Sequence, residues 1–170
     1  MKIIRAVENI LGYIENGLLV IFLTVTVLMA FLQVILREFW STGILWADVF
    51  LRHLVLWIGF LGAALAAKES RHFSIDVITK RLSPTLRRII QILLDLSAAI
   101  VCYFLSSAGW SFVSDEIKYN DQPLFTFLGK NVMAYYLEII IPVGFALVGI
   151  HFLFRAIEVA VTGPRSAEIV

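Results

Sequence analysis

Charged side chains are scarce in this sequence: they make up 16% of its 170 residues, while 60% belong to the apolar set. A soluble domain carries about 25% charged and about 45–50% apolar residues, so a water-soluble globule is excluded. The mean hydropathy of +0.89 agrees. A single cysteine, Cys102, excludes an internal disulfide. Glycine/serine linkers, low-complexity tracts and internal repeats are missing, which leaves one membrane domain over 1–170. The net charge of +1 gives no reason to expect nucleic acid. Phosphate-cradling glycine loops, paired cysteines and histidines at i and i+4 are also missing, so the common enzyme and metal signatures lack their residues. Neither catalysis nor a cofactor is expected.

What is present is long apolar runs. Residues 17–36 carry no ionisable group and give about 30 Å of helix, the thickness of a bilayer core. A signal peptide is the rival reading, but no small-residue cleavage site follows Arg37-Glu38-Phe39-Trp40, so the segment is expected to be retained. Further spans are read at about 48–67, 89–114 and 131–154. Before them, residues 1–16 place Ile3, Ile4, Val7, Ile10, Leu11 and Ile14 at helical spacing, with Lys2, Arg5, Glu8, Asn9 and Glu15 on the other face. That pattern predicts an amphipathic helix lying on the membrane surface. Between spans two and three, Ser74 could cap a short helix, and Ser83-Pro84 reads as the N-cap and first residue of the third span.

Lysine and arginine counts set the orientation. Ten fall at the two ends and in residues 68–88; Arg37, Arg52, Lys118 and Lys130 fall on the other side. The expected fold is therefore an all-α integral membrane protein: four transmembrane helices, an N-terminal interfacial helix, and both termini cytoplasmic.

Candidate sites are few. Asp95 and Glu138 are acids within spans, where ionisable residues are functional by default. They stand at different depths, about 10 Å from the inner and about 12 Å from the outer end of their helices, so a shared ion site is disfavoured. Asp95 is expected to pair with His151, or else with Gln91 on its own helix. Glu138 lies four residues before Pro142, which removes a backbone donor and predicts a kink. Helix two carries Gly59, Gly62, Ala63 and Ala66, whose spacing lets another backbone approach closely. Trp57 beside them needs a partner for its ring N–H, so this face is read as packing against a partner helix, whether in this chain or another. Arg37, Asp48, Arg52, Asp115, Glu116 and Asp121 give the outer surface a mixed charge suited to docking a soluble partner, with an ordinary solvated loop as the alternative. A haem-binding redox anchor is the competing class. His53 and His151 would stand about 14 Å apart along the membrane normal, too far to share an iron.

The run Trp46-Ala47-Asp48, Arg52, Trp57-Ile58-Gly59-Phe60-Leu61-Gly62-Ala63-Ala64, Ala66, His72 and Ile75-Asp76 resembles the small membrane subunit of tripartite ATP-independent periplasmic (TRAP) transporters, the DctQ-like family. Val49 stands here where members commonly carry a second acid. The resemblance implies a scaffold in the bacterial inner membrane, with a large multi-span subunit and a periplasmic substrate-binding protein as partners. Together they would import an organic acid, such as sialic acid or a C4-dicarboxylate, on a sodium gradient. Substrate and ion sites would lie in the large subunit, as expected for a chain with no pair of broken helices of the kind that builds midplane sites.

Overall fold

The computed structural model describes residues 2–69, 83–119 and 123–162. Three long helices, α1 (Lys2–Trp40), α2 (Ala47–Glu69) and α3 (Pro84–Tyr119), are followed by a hairpin of β1 (Phe125–Phe127) and β2 (Lys130–Val132). A one-turn helix α4 (Tyr135–Glu138) and the last long helix α5 (Ile140–Thr162) complete the chain. Four segments are long and apolar enough to cross a membrane: Ala6–Trp40, Ala47–Lys68, Thr85–Tyr119 and Ala134–Val161. The chain is an all-α, four-span membrane protein. The expected Ser74 helix lies outside the described residues.

The helices pack in the order α1, α2, α5, α3, with α3 against α5 the most extensive contact and α1 touching α5 only lightly. Ala47, Leu54 and Leu61 are buried at seven-residue intervals on α2, the repeat that keeps one seam of a helix against its neighbours. Small side chains fill much of the rest: Ala64 and Ala67 on α2, Ala99 and Cys102 on α3, Ala156 on α5. In lipid there is no hydrophobic drive between helices, so close backbone approach is what such residues contribute.

Local signals explain the helix boundaries. Ser83 Oγ accepts the Leu86 N–H at 3.4 Å, capping α3 ahead of Pro84. Ser41 takes a left-handed φ of 49° where α1 ends. The hairpin pairs Phe125 with Val132 and Phe127 with Lys130 around Leu128-Gly129, whose φ values of 49° and 76° belong to a two-residue turn that follows strand twist. Residues 131 and 132, read from sequence as the start of the fourth span, belong to strand β2. The two-residue alternation of Phe125 and Phe127 puts both rings on Trp46, at centroid distances of 5.8 and 4.9 Å.

The first sixteen residues depart from expectation in another way. Residues 2–16 continue into the span as one helix, and Glu8 and Glu15, read as a solvent-facing side, are 3% and 2% exposed. Val7, Ile10 and Ile14 face outward instead. Glu8 and Glu15 turn into the bundle, while Asn9, read with them on the polar face, stays exposed.

Candidate functional site

Away from the hairpin, the bundle buries ionisable side chains of α1, α3 and α5. Asp95 on α3 is fully buried, and Arg155 of α5 donates to its Oδ1 through Nε at 2.8 Å and through Nη2. The same guanidinium lies 5.1 Å over the ring of Phe152. One turn earlier on α5, His151 Nε2 sits 3.0 and 3.1 Å from the two carboxylate oxygens of Glu15 on α1. The expected pairing of Asp95 with His151 is therefore corrected. Among the described residues neither Asp95 Oδ2 nor His151 Nδ1 makes a hydrogen bond, so the two do not bond each other. His151 and Arg155, four apart, share a face of α5; the longer, permanently charged Arg155 takes the acid of α3, leaving the imidazole for α1.

The seam continues along α1. Lys68 of α2 lies directly across Gly12, between Glu8 and Glu15 in sequence, where any larger residue would meet its Nζ. Arg88 of α3 donates to the Ala160 carbonyl of α5. A charge in a low-dielectric interior is tolerated when paired and hydrogen-bonded. These contacts tie α1, α2, α3 and α5 to one another.

A second constellation holds the break before α5. The helix is interrupted at Ile139, four residues after Tyr135 and three before Pro142, whose ring has no N–H for the Glu138 carbonyl. The broken turn is gripped from both sides. Trp57 of α2 donates its indole N–H to the Leu137 carbonyl at 2.8 Å, and Ser106 of α3 donates to the Pro142 carbonyl at 2.8 Å. Glu138 Oε1 stands 4.0 Å from His53 Nε2. Trp57, grouped from sequence with the partner-facing residues, is thus turned into its own bundle, its ring edge-on to Phe22 at 5.4 Å.

The tight glycine contacts are also elsewhere than the sequence suggested. Gly109 lets α3 approach Pro142, where a Cβ would fall 3.1 Å from the proline nitrogen. Phe60 packs onto Gly144, and Gly149 faces Cys102. By contrast a Cβ at Gly59 would meet nothing within 4 Å, and one at Gly62 only Leu19 at 3.8 Å. Gly59, Ala63 and Ala66 form an exposed strip on α2.

At the hairpin end the polar residues are knitted together in the open. Gln33, 5% exposed, binds both backbone groups of Ile44, at 2.9 and 3.0 Å, and reaches Asp48 Oδ1 at 3.3 Å. Arg37 pairs with Asp48 at 2.5 Å, with side chains 61% and 51% exposed, and Arg52 donates back to the Asp48 carbonyl at 3.3 Å. Asp115 is exposed and Glu116 half-buried at the end of α3. Asp121 lies outside the described residues.

Known proteins match this arrangement over most of its length. Residues 26–162 match the family described as the DctQ component of tripartite ATP-independent periplasmic transporters. A TRAP transporter small permease protein of Haemophilus influenzae is 30% identical over 61% of this chain and 66% of its own length. The ectoine TRAP transporter small permease of Halomonas elongata is 31% identical over 63% of this chain and 53% of its own length. The C4-dicarboxylate small permease DctQ of Pseudomonas aeruginosa is 23% identical over 96% and 92%. The chain spans just under two thirds of the Haemophilus relative. With four apolar spans and this match, the chain is a multi-pass protein of the bacterial inner membrane and belongs to the DctQ family of TRAP transporter small permeases, a transporter component and not an enzyme.

Proposed function

We propose that this chain is the bracing subunit of a sodium-coupled importer of an organic acid. It would hold a large multi-span subunit in place while a periplasmic binding protein delivers substrate to that subunit. The observation that carries this reading is where the charges of its spans go: Glu15 to His151 and Asp95 to Arg155, each used to join one helix to another. A residue engaged in that way fixes a frame; a coupling residue has to change partners as ions come and go. Dicarboxylate and ectoine relatives support a small organic solute, and the long match to the dicarboxylate system favours an acid such as a C4-dicarboxylate.

In this reading both termini face the cytoplasm, so a cysteine at Lys118, in a background lacking Cys102, labels from outside intact cells and one at Thr85 does not. The Gly59, Ala63 and Ala66 strip meets a helix of the large subunit. Arg37, Asp48, Arg52, Asp115, Glu116 and Asp121 face the binding protein. The test is co-purification with the large subunit, comparing Gly59→Leu with wild type. Because Gly59 is exposed and a Cβ there meets nothing within 4 Å, the variant chain should stay folded by itself while complex yield and transport fall together. Fully assembled complex with altered ion stoichiometry, or transport by this chain alone, would overturn the bracing reading.

A further inference from the structure

The two ring nitrogens of His53 meet different surroundings. Nδ1 lies 2.8 Å from the Val49 carbonyl, one turn back on α2. A carbonyl oxygen can only accept, so Nδ1 carries the hydrogen of the neutral ring and Nε2 is left with a bare lone pair. That lone pair faces Glu138 Oε1 at 4.0 Å. An ionised carboxylate also can only accept, and the buried Glu138 Oε2 makes no hydrogen bond among the described residues. Two acceptors are thus pointed at one another. One proton added to either group turns the same geometry into a donor facing an acceptor, and relieves a carboxylate held out of water without hydrogen bonds.

The groups around the pair increase its need for that proton. Glu116 of α3 acts on Glu138 as a second negative charge. On α2, Arg52 is exposed and donates to the Asp48 carbonyl. On α4, the rings of Tyr135 and Tyr136 lie 4.3 Å apart, against each other. Lys118 and Lys130 are exposed. α1 carries no charge between Glu15 and Arg37, and α5 has no titratable group before His151, about 16 Å along its axis. The His53 and Glu138 side chains are 16% and 20% exposed, which leaves a route for exchange with water. Their place in the fold gives the proton something to hold. His53 and Trp57 are one turn apart on α2; Trp57 bonds the Leu137 carbonyl, and His53 faces Glu138, the last residue before the break at Ile139. So α2 meets the broken turn twice, once through a bond that needs no proton and once through a contact that does.

We propose that His53 and Glu138 form a binding site for a single proton, which fastens the broken turn before α5 to α2. Filled from solvent, the pair is neutral overall and attractive. Emptied, it carries one net negative charge beside Glu116, and the Trp57 bond is what α2 retains on this turn. The test is thermal unfolding of the full chain in detergent from about pH 5 to about pH 9, a range that brackets the ordinary histidine value of about 6.5. Wild type is compared with Glu138→Gln and with His53→Gln, each of which supplies an amide N–H donor that needs no added proton. A folded state that keeps a proton the unfolded chain has released loses stability as pH rises. The Tm of wild type should therefore fall relative to both variants as pH climbs past about 6.5, while His151 and the other titrating groups, common to all three chains, cancel from the comparison. An offset that is constant at every pH is what a merely structural contact gives, and it overturns the inference. A wild-type Tm that rises relative to the variants over the same range overturns it as well.

Discussion

The two ends of the bundle use the same chemistry in opposite surroundings. Both join helices by a carboxylate and a guanidinium: Asp95 with Arg155 at the seam, and Asp48 with Arg37 by the hairpin. At the seam the acid is fully buried and the arginine 12% exposed; by the hairpin both side chains are more than half exposed. An ion pair binds its helices firmly only where water cannot replace a lost partner. The seam is an obligation of four helices, whereas the hairpin end can exchange its partners for solvent or for another protein.

Removing one member of the seam pair gives the sharpest contrast. Arg155→Met should strand the Asp95 carboxylate and destabilise the isolated chain by about 3–5 kcal/mol, the usual cost of leaving a buried charge alone. The double change Asp95→Leu with Arg155→Met should recover most of that loss. Denaturant unfolding of both variants in detergent checks this; equal losses in the single and the double change would mean that the pair is not the unit.

Packing should come next. Gly144→Ala drives a methyl into Phe60, at the ring's attachment and not at a flexible tip, and overpacking of this kind costs about 1–3 kcal/mol. Gly59→Ala should cost the isolated chain nothing measurable. If the two variants unfold alike, the distinction between glycines spent inside the bundle and glycines left outside it fails.

That distinction also marks where sequence reading stopped. Four spans, the capped start of α3 and the weakness at Pro142 are local properties, carried by hydropathy runs and by proline's missing donor, and they are legible residue by residue. Partner choice is not local. Glu15 looked solvated because its neighbours on α1 are polar, and Arg155 was counted as a flanking cation because it follows the last apolar run. Only packing brings Glu15 of α1 and Asp95 of α3 within reach of neighbouring turns of α5. A usable signal was nonetheless present: Glu8, Gly12 and Glu15 recur at helical spacing on one helix, His151 and Arg155 on another, with opposite charge. The hairpin had a cue in Phe125 and Phe127 alternating before Leu128-Gly129, masked by the apolar residues that follow. Trp57 was read correctly as needing a partner, and its acceptor, the Leu137 carbonyl, exists as a target because the helix is broken two residues later.

Trp57→Phe should have a smaller effect than Gly144→Ala, since it keeps the ring against Phe22 and removes only the bond to Leu137. Interhelical hydrogen bonds in membranes average about 0.6 kcal/mol and reach about 1.7, so a modest loss of thermal stability is expected. A larger loss would mean that the indole fixes the break and does more than satisfy its own N–H.

Among the changes that remove a polar contact, the smallest effect should come from Arg37→Ala. Its guanidinium is exposed, and pairs of this kind contribute about 0–1 kcal/mol in high dielectric, with salt screening what remains. Gln33 continues to hold Ile44 and Asp48 without it, so the turn between α1 and α2 keeps a second clasp. The isolated chain should therefore unfold within about 1 kcal/mol of wild type, and the difference should shrink as salt is raised from about 0.05 to 0.5 M. The same experiment on Arg155→Met should show almost no salt dependence, because mobile ions do not reach a fully buried carboxylate. A loss at Arg37 that is large and insensitive to salt would show that the hairpin end is held as firmly as the seam, and the contrast between the two ends would have to be abandoned.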